Sequence, residues 1–158
     1  KLIRMAVGEE EGVVRFSKSK DTINHVVIES DTITSFTEVN MTSLNQFTDT
    51  CPALIKIDVE GFEWNVLNGA TNILQDPKLS ALIIEINGSG SYFGVDDKLL
   101  HQFITQYGFS PYSYDPFDRS LCELETYGNL NTIYIRNEVF VQQRLTNAES
   151  FVSFGIKI

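Results

Sequence analysis

Lys56, Asp58 and Glu60 are spaced by two within Leu54-Ile55-Lys56-Ile57-Asp58-Val59-Glu60-Gly61, so an extended backbone places all three on one side. A buried parallel strand is normally apolar on both faces. Charge at its carboxyl end makes sense where the strand opens into a crevice, the usual ligand position in open α/β sheets. Gly61 permits close backbone approach, and Glu60 and Glu63 sit near the positive end of the helix that follows. Carboxylates placed so can instead serve only as helix caps, with Lys56 snorkelling and paired to Asp58. Glu85 and Asn87 end the next apolar run, Ala81 to Ile86, in the same manner. If the two strands are neighbours, Glu85 joins Asp58 in one acidic cleft. Such carboxylates can take a proton from a hydroxyl, hold an amino group or help bind a divalent cation.

The elements that must position these residues follow from periodicity. Leu54–Val59 reads as a strand, and Phe62, Val66, Leu67, Ala70, Ile73 and Leu74 mark one helix ended by Asp76-Pro77. Ala81–Ile86 is a central strand. A helix starts at Asp96 or Asp97, carries Leu99, Leu100, Phe103, Ile104 and Tyr107 on its apolar stripe, and stops at Gly108. Phe109–Tyr114 and Thr132–Ile135 are strands joined by a loop or hairpin. This alternation predicts an α/β domain with a parallel sheet and crossover helices. Residues 1–50 read as β-rich, with strands at Leu2–Val7, Val13–Phe16 and Val26–Ile28, a weaker one at Asp31–Phe36, and a short helix or ordered loop at Ser43–Phe47.

Other constellations are weaker. Gly88-Ser89-Gly90-Ser91-Tyr92-Phe93-Gly94 follows a strand, but its spacing is G-x-G-x-x-x-G, which disfavours a dinucleotide turn and suits a substrate-side loop or a plain connection. No serine sits in a G-x-S-x-G elbow. His25 and His101 have no partner at metal-ligand spacing, and no metal site is expected. Trp64, Tyr92, Phe93, Tyr112, Tyr114 and Phe117 can stack on a sugar or planar ligand or simply pack in the core.

The 158 residues, 42% apolar and 21% charged, are enough for one folded domain. A net charge of −9 disfavours nucleic acid and anionic membrane surfaces as partners. Two cysteines 71 positions apart and no long apolar run predict a soluble cytoplasmic chain. Lys1 stands almost inside an apolar segment, so the chain is expected to be part of a longer protein.

Leu54-Ile55-Lys56-Ile57-Asp58-Val59-Glu60-Gly61-Phe62-Glu63 with Val66-Leu67-Asn68-Gly69-Ala70 resembles the FkbM-type S-adenosylmethionine-dependent methyltransferases. Ile84-Glu85-Ile86, Ala6-Val7-Gly8 with Gly12, and Asn131-Thr132-Ile133-Tyr134-Ile135-Arg136-Asn137 extend the likeness in order and spacing over most of residues 1–140. The resemblance implies a Rossmann-like class I fold: a mostly parallel seven-stranded sheet between helices, with an antiparallel last strand. Here its first strands and glycine-rich cofactor loop are expected upstream of Lys1. It also implies S-adenosyl-L-methionine as cofactor and methyl transfer to a hydroxyl of a sugar, polyketide or related metabolite. Asp58 is then the first candidate catalytic or methionine-contacting acid, Glu60 the second as base or substrate ligand, and Glu85 the third, facing the acceptor. Ala6, Val7 and Gly8 would line the adenine pocket. Two other classes stay open, a non-catalytic carbohydrate- or metabolite-binding module and an oligomerisation domain, since an incomplete sheet exposes an edge that favours a homo-oligomer.

Overall fold

The computed structural model describes residues 1–18, 24–28, 31–32, 35–128 and 130–157. Its centre is a five-stranded sheet in the order β4-β5-β8-β6-β7. The strands are β4 (Leu54–Ile57), β5 (Ala81–Glu85), β6 (Ser110–Asp115), β7 (Ser120–Glu123) and β8 (Asn131–Ile135). Within this sheet, among the described residues, only β4 and β5 pair in parallel; β5–β8, β8–β6 and β6–β7 are antiparallel. The fold is therefore mixed α/β, and the expectation of a mostly parallel sheet is corrected. The cause is the last strand: β8 inserts between β5 and β6, which run the same way, and turns one parallel neighbourhood into two antiparallel ones. β7 returns from β6 as a hairpin.

A second sheet, β1-β3-β2, holds β1 (Ala6–Val7), β2 (Gly12–Ser17) and β3 (Phe36–Thr42). One continuous seven-stranded sheet is thus replaced, among the described residues, by separate sheets. The expected strand at Val26–Ile28 is a single bridge from Phe16 to Val26. The weaker expectation at Asp31–Phe36 meets strand only at Phe36, and positions 33–34 lie outside the described residues. β3 extends instead through Thr42, with Phe36, Glu38 and Asn40 exposed on alternate positions. Leu44–Thr50 is a 3-10 segment, and the chain ends in a small hairpin, β9 (Val152–Ser153) with β10 (Ile156–Lys157).

One face of the large sheet carries the core. The helix expected over 62–75 is two helices, α1 (Glu63–Asn68) and α2 (Thr71–Gln75), broken at Gly69-Ala70. With α3 (Asp97–Thr105) they pack Val66, Leu67, Ile73, Leu74, Leu100 and Ile104 on Leu82, Ile84 and Tyr134. α3 starts where expected: the Asp96 carboxylate accepts the Lys98 N–H at 2.6 Å, and Gly108 turns left-handed just past its end. Leu99, assigned to the apolar stripe, is 46% exposed. Arg136 fastens the helix ends from below, its guanidinium donating to the carbonyls of Leu74, Asp76, Tyr107 and Leu79 while it lies 4.6 Å from the Phe109 ring centroid. A further helix, α4 (Glu138–Asn147), lies on the opposite face and buries none of its residues. Among the described residues no helix is long and apolar enough to cross a membrane.

The break after α1 falls at a close backbone contact. A Cβ on Gly69 would stand 2.0 Å from the Gly8 carbonyl oxygen, so the helix end and the β1 turn touch backbone to backbone. A Cβ on Gly8 would instead meet the flexible Met41 side chain. Gly69→Ala is expected to lower stability by about 1–3 kcal/mol and Gly8→Ala by less, read from urea unfolding midpoints. Equal stability of Gly69→Ala and the parent would show that this approach is not tight.

Candidate functional site

The parallel register pairs Ile57 with Ile84, so Asp58 leaves β4 beside Glu85 leaving β5. After Val59 the backbone turns through two consecutive left-handed residues, Glu60 at φ 53° and Gly61 at φ 97°. Glycine takes that conformation freely, whereas at Glu60 it costs roughly 1–3 kcal/mol. The turn is held from inside. Glu63, only 2% exposed, accepts the Gly61 N–H at 3.2 Å and the Val59 N–H at 3.4 Å through Oε1. Burial pushes the Glu63 carboxyl above its ordinary range, and these two N–H donors pull it partly back.

The result is a cluster. One oxygen each from Asp58, Glu60 and Glu85 lie within 4.8 Å of one another. Their environments differ. Lys56 pairs with Asp58 across the exposed stripe, and that hydrogen-bonded ammonium holds the Asp58 carboxyl below its ordinary value. Glu85 shifts the other way, raised first by burial and then by the neighbouring Asp58 and Glu60 charges, against a smaller opposing contact from Asn87. At the cluster one carboxylate is kept ionised while its neighbour attracts a proton. Three such oxygen ligands also suit a hard divalent cation.

The segment after β5 closes one side. Ser89–Phe93 forms a 3-10 turn between left-handed Gly88 and Gly94, and the Asn87 side chain accepts the Ser89 N–H at 2.9 Å. A Cβ on Gly61 would lie 2.6 Å from the Ser89 carbonyl oxygen, so this segment rests on the Glu60–Gly61 turn. An aromatic series then leads away from the site: Phe62 to Phe93 at 5.1 Å, Phe93 to Tyr92 at 4.7 Å, and Tyr92 to His25 at 5.0 Å between ring centroids. The Tyr92 hydroxyl donates to Asp31, and burial together with that carboxylate pushes its pKa up to about 12.

All three sequence-assigned acids therefore come together. Ala6, Val7 and Gly8 do not join them: the Gly8 N–H donates to Thr42 O at 2.9 Å, and this segment packs on Met41, Phe62 and Gly69 behind the turn. Of the aromatics, Trp64 packs on Phe103 at 5.1 Å and Tyr112 is buried, so neither forms a stacking surface. His101 is structural, its Nδ1 2.9 Å from the Tyr134 hydroxyl. Two residues that sequence reading did not bring to the site are Glu63, assigned only to the helix dipole, and Asp31; no spacing signal links Asp31 to Tyr92 61 positions away.

The chain is a mixed α/β scaffold that gathers three carboxylates at the ends of the parallel pair β4–β5, the edge at which open α/β sheets place ligands. The Methyltransferase FkbM domain model matches residues 3–111, and the chain belongs to that family. No curated protein and no solved structure matches it.

The raised Glu63 carboxyl has a signed consequence. Its folded pKa lies above the unfolded value, so the native state binds the extra proton, and stability contributed by this group falls as pH rises from about 4.5 through the folded pKa. Glu63→Gln keeps an acceptor for both N–H groups without that charge. The stability difference, variant minus parent, is expected to grow across that window and then level off. Glu63→Ala strands both donors and should cost about 1–3 kcal/mol at pH 7. A pH-independent Glu63→Gln difference would contradict the account.

Proposed function

We propose that the chain is a methyltransferase domain that uses S-adenosyl-L-methionine to methylate a hydroxyl of a sugar, polyketide or related metabolite. The observation that carries this reading is the Asp58–Glu60–Glu85 cluster, with one acid held ionised and a second drawn toward protonation. Family membership supports the reaction class. The donor chemistry fits the cofactor at its cationic end: a sulfonium and an ammonium are complemented by carboxylates, and Lys56 offsets only one of the three. Asp58 and Glu60 would hold that end. When bound, the cofactor supplies an electrophilic methyl group.

The rest of the chemistry falls to the chain. Glu85 faces the acceptor and takes the hydroxyl proton as the oxygen becomes a nucleophile, a role suited to a carboxylate whose proton affinity its surroundings raise. Asp58, fixed by Lys56, keeps the field negative and orients the cationic end. The segment at Ser89–Phe93, resting on Gly61, limits where an acceptor can lie. Positioning then supplies much of the acceleration, because the reacting oxygen must stand in line with the methyl carbon.

Calorimetric titration with S-adenosylmethionine and S-adenosylhomocysteine, of the chain alone and with the upstream sequence expected to carry the cofactor loop restored, is the direct test, with saturable binding expected of the longer chain. Absence of both would count against the cofactor assignment. With an acceptor found by screening, Glu85→Gln should lower turnover by roughly 10²–10⁴-fold. A base must be deprotonated, so turnover rises with pH through the raised Glu85 pKa and then levels. Asp58→Asn removes one of the charges raising that pKa and should move the acidic limb to lower pH. An unmoved limb would show that Glu85 is not the titrating base.

A further inference from the structure

The two faces of the large sheet are unequal. Alternation along β5 sends Leu82 and Ile84 into the main core and Ala81 and Ile83 to the other side. There α4 covers the strands without burying any of its own residues. Between helix and sheet lies a cavity of about 400 Å³ walled mainly by Leu54, Ala81, Ile83, Ile133, Val141 and Leu145. Liquid water occupies about 30 Å³ per molecule, so this is the room of about a dozen waters. The groove is open to solvent along one side, and its apolar walls bind water poorly.

Among the described residues, Arg144 is the one charged residue on the groove wall. Its guanidinium lies 5.9 Å from the Phe140 ring centroid, and it forms no ion pair among the described residues. An apolar slot with a lone guanidinium at its rim complements a single-chain amphiphile with an anionic head, and the planar fork of arginine matches a carboxylate. We propose that the groove between α4 and the five-stranded sheet binds a medium-chain fatty acid, its carboxylate on Arg144 and its chain against Ala81, Ile83 and Ile133. Charge fixes the direction. Ile83 lines the groove, and two residues further along β5 Glu85 belongs to the acid cluster, whose three carboxylates outnumber the Lys56 ammonium beside Ile83, so that end repels a carboxylate. The site stands whether or not the acid cluster transfers methyl groups.

The test is calorimetric titration with octanoate, decanoate and dodecanoate below their micelle concentrations, with decanol as the uncharged control. One-to-one binding is expected, tightening about fourfold per methylene until the groove is full, the fold-change that corresponds to ~0.8 kcal/mol. Arg144→Gln, a change at an exposed position, should weaken decanoate about tenfold and leave decanol unchanged. Ala81→Leu fills the groove and should weaken every chain. The Arg144 result decides the matter even where Ala81→Leu fails to fold. No saturable binding, affinity independent of chain length, or equal decanoate affinity in Arg144→Gln would each overturn the proposal. So would sedimentation showing that a second copy of the chain occupies the groove and excludes the fatty acid.

Discussion

The site depends on a buried carboxylate whose work is to hold backbone. Val59 and Gly61 both present N–H groups toward the first turn of α1, and Glu63 Oε1 accepts them from within the fold. Without an acceptor the chain would have to satisfy these donors elsewhere, and Glu60 would lose the constraint that keeps it left-handed. Burying Glu63 is unfavourable in itself, as its raised pKa records. The hydrogen bonds offset part of that cost, and what they secure is geometry: Asp58 and Glu60 are delivered to the same side of the strand edge that Glu85 reaches from β5.

That geometry creates an electrostatic problem which Lys56 solves in part. Carboxylate oxygens within 4.8 Å of one another repel, and full ionisation of all three would oppose folding. The ammonium of Lys56 settles the charge on Asp58, leaving the strain to appear at Glu85 as a raised proton affinity. Two like residues, side by side on paired strands, acquire different protonation behaviour because one has a cation and the other has burial and negative neighbours.

Residues 54–108 were the legible part of the fold. There hydrophobic period, helix cap and stop glycine agree, and β4, β5 and α3 formed where the pattern put them. The same agreement made the acid cluster legible, since a period of two fixes the side on which Lys56 and Asp58 lie. Other features had little or no local signal. The break at Gly69 carries only the weak local signal of Asn68-Gly69 inside an otherwise continuous apolar period, and the close contact with the Gly8 backbone that accompanies it lies far upstream. The position of β8 between β5 and β6 is a tertiary pairing, and it changed the sheet from parallel to mixed without altering one strand's own sequence pattern. β3 is hard to read because its apolar residues are split between its two faces, Phe36 on one and Val39 and Met41 on the other, so no clean alternation marks it. Gly8, part of the family-like motif, lies against Met41, Phe62 and the Gly69 backbone.

The sheet's two faces also explain how site and groove can coexist in so small a chain. The main core reaches Ile57, Ile84 and Ile86, the apolar residues that alternate with or flank the acids, so the cluster is braced from the side that α1, α2 and α3 cover. Arg136 adds to that bracing at the opposite ends of the helices, where it collects carbonyls that the last turns leave unpaired. α4 contributes little to either. The face that α4 covers has its own small cluster, Ala81, Tyr112 and Ile135 with Val141 packed against it, and the open groove lies beside that cluster. In this arrangement β5 serves two environments along one side, apolar at Ala81 and Ile83 and acidic at Glu85, with the change occurring over a single step of two residues.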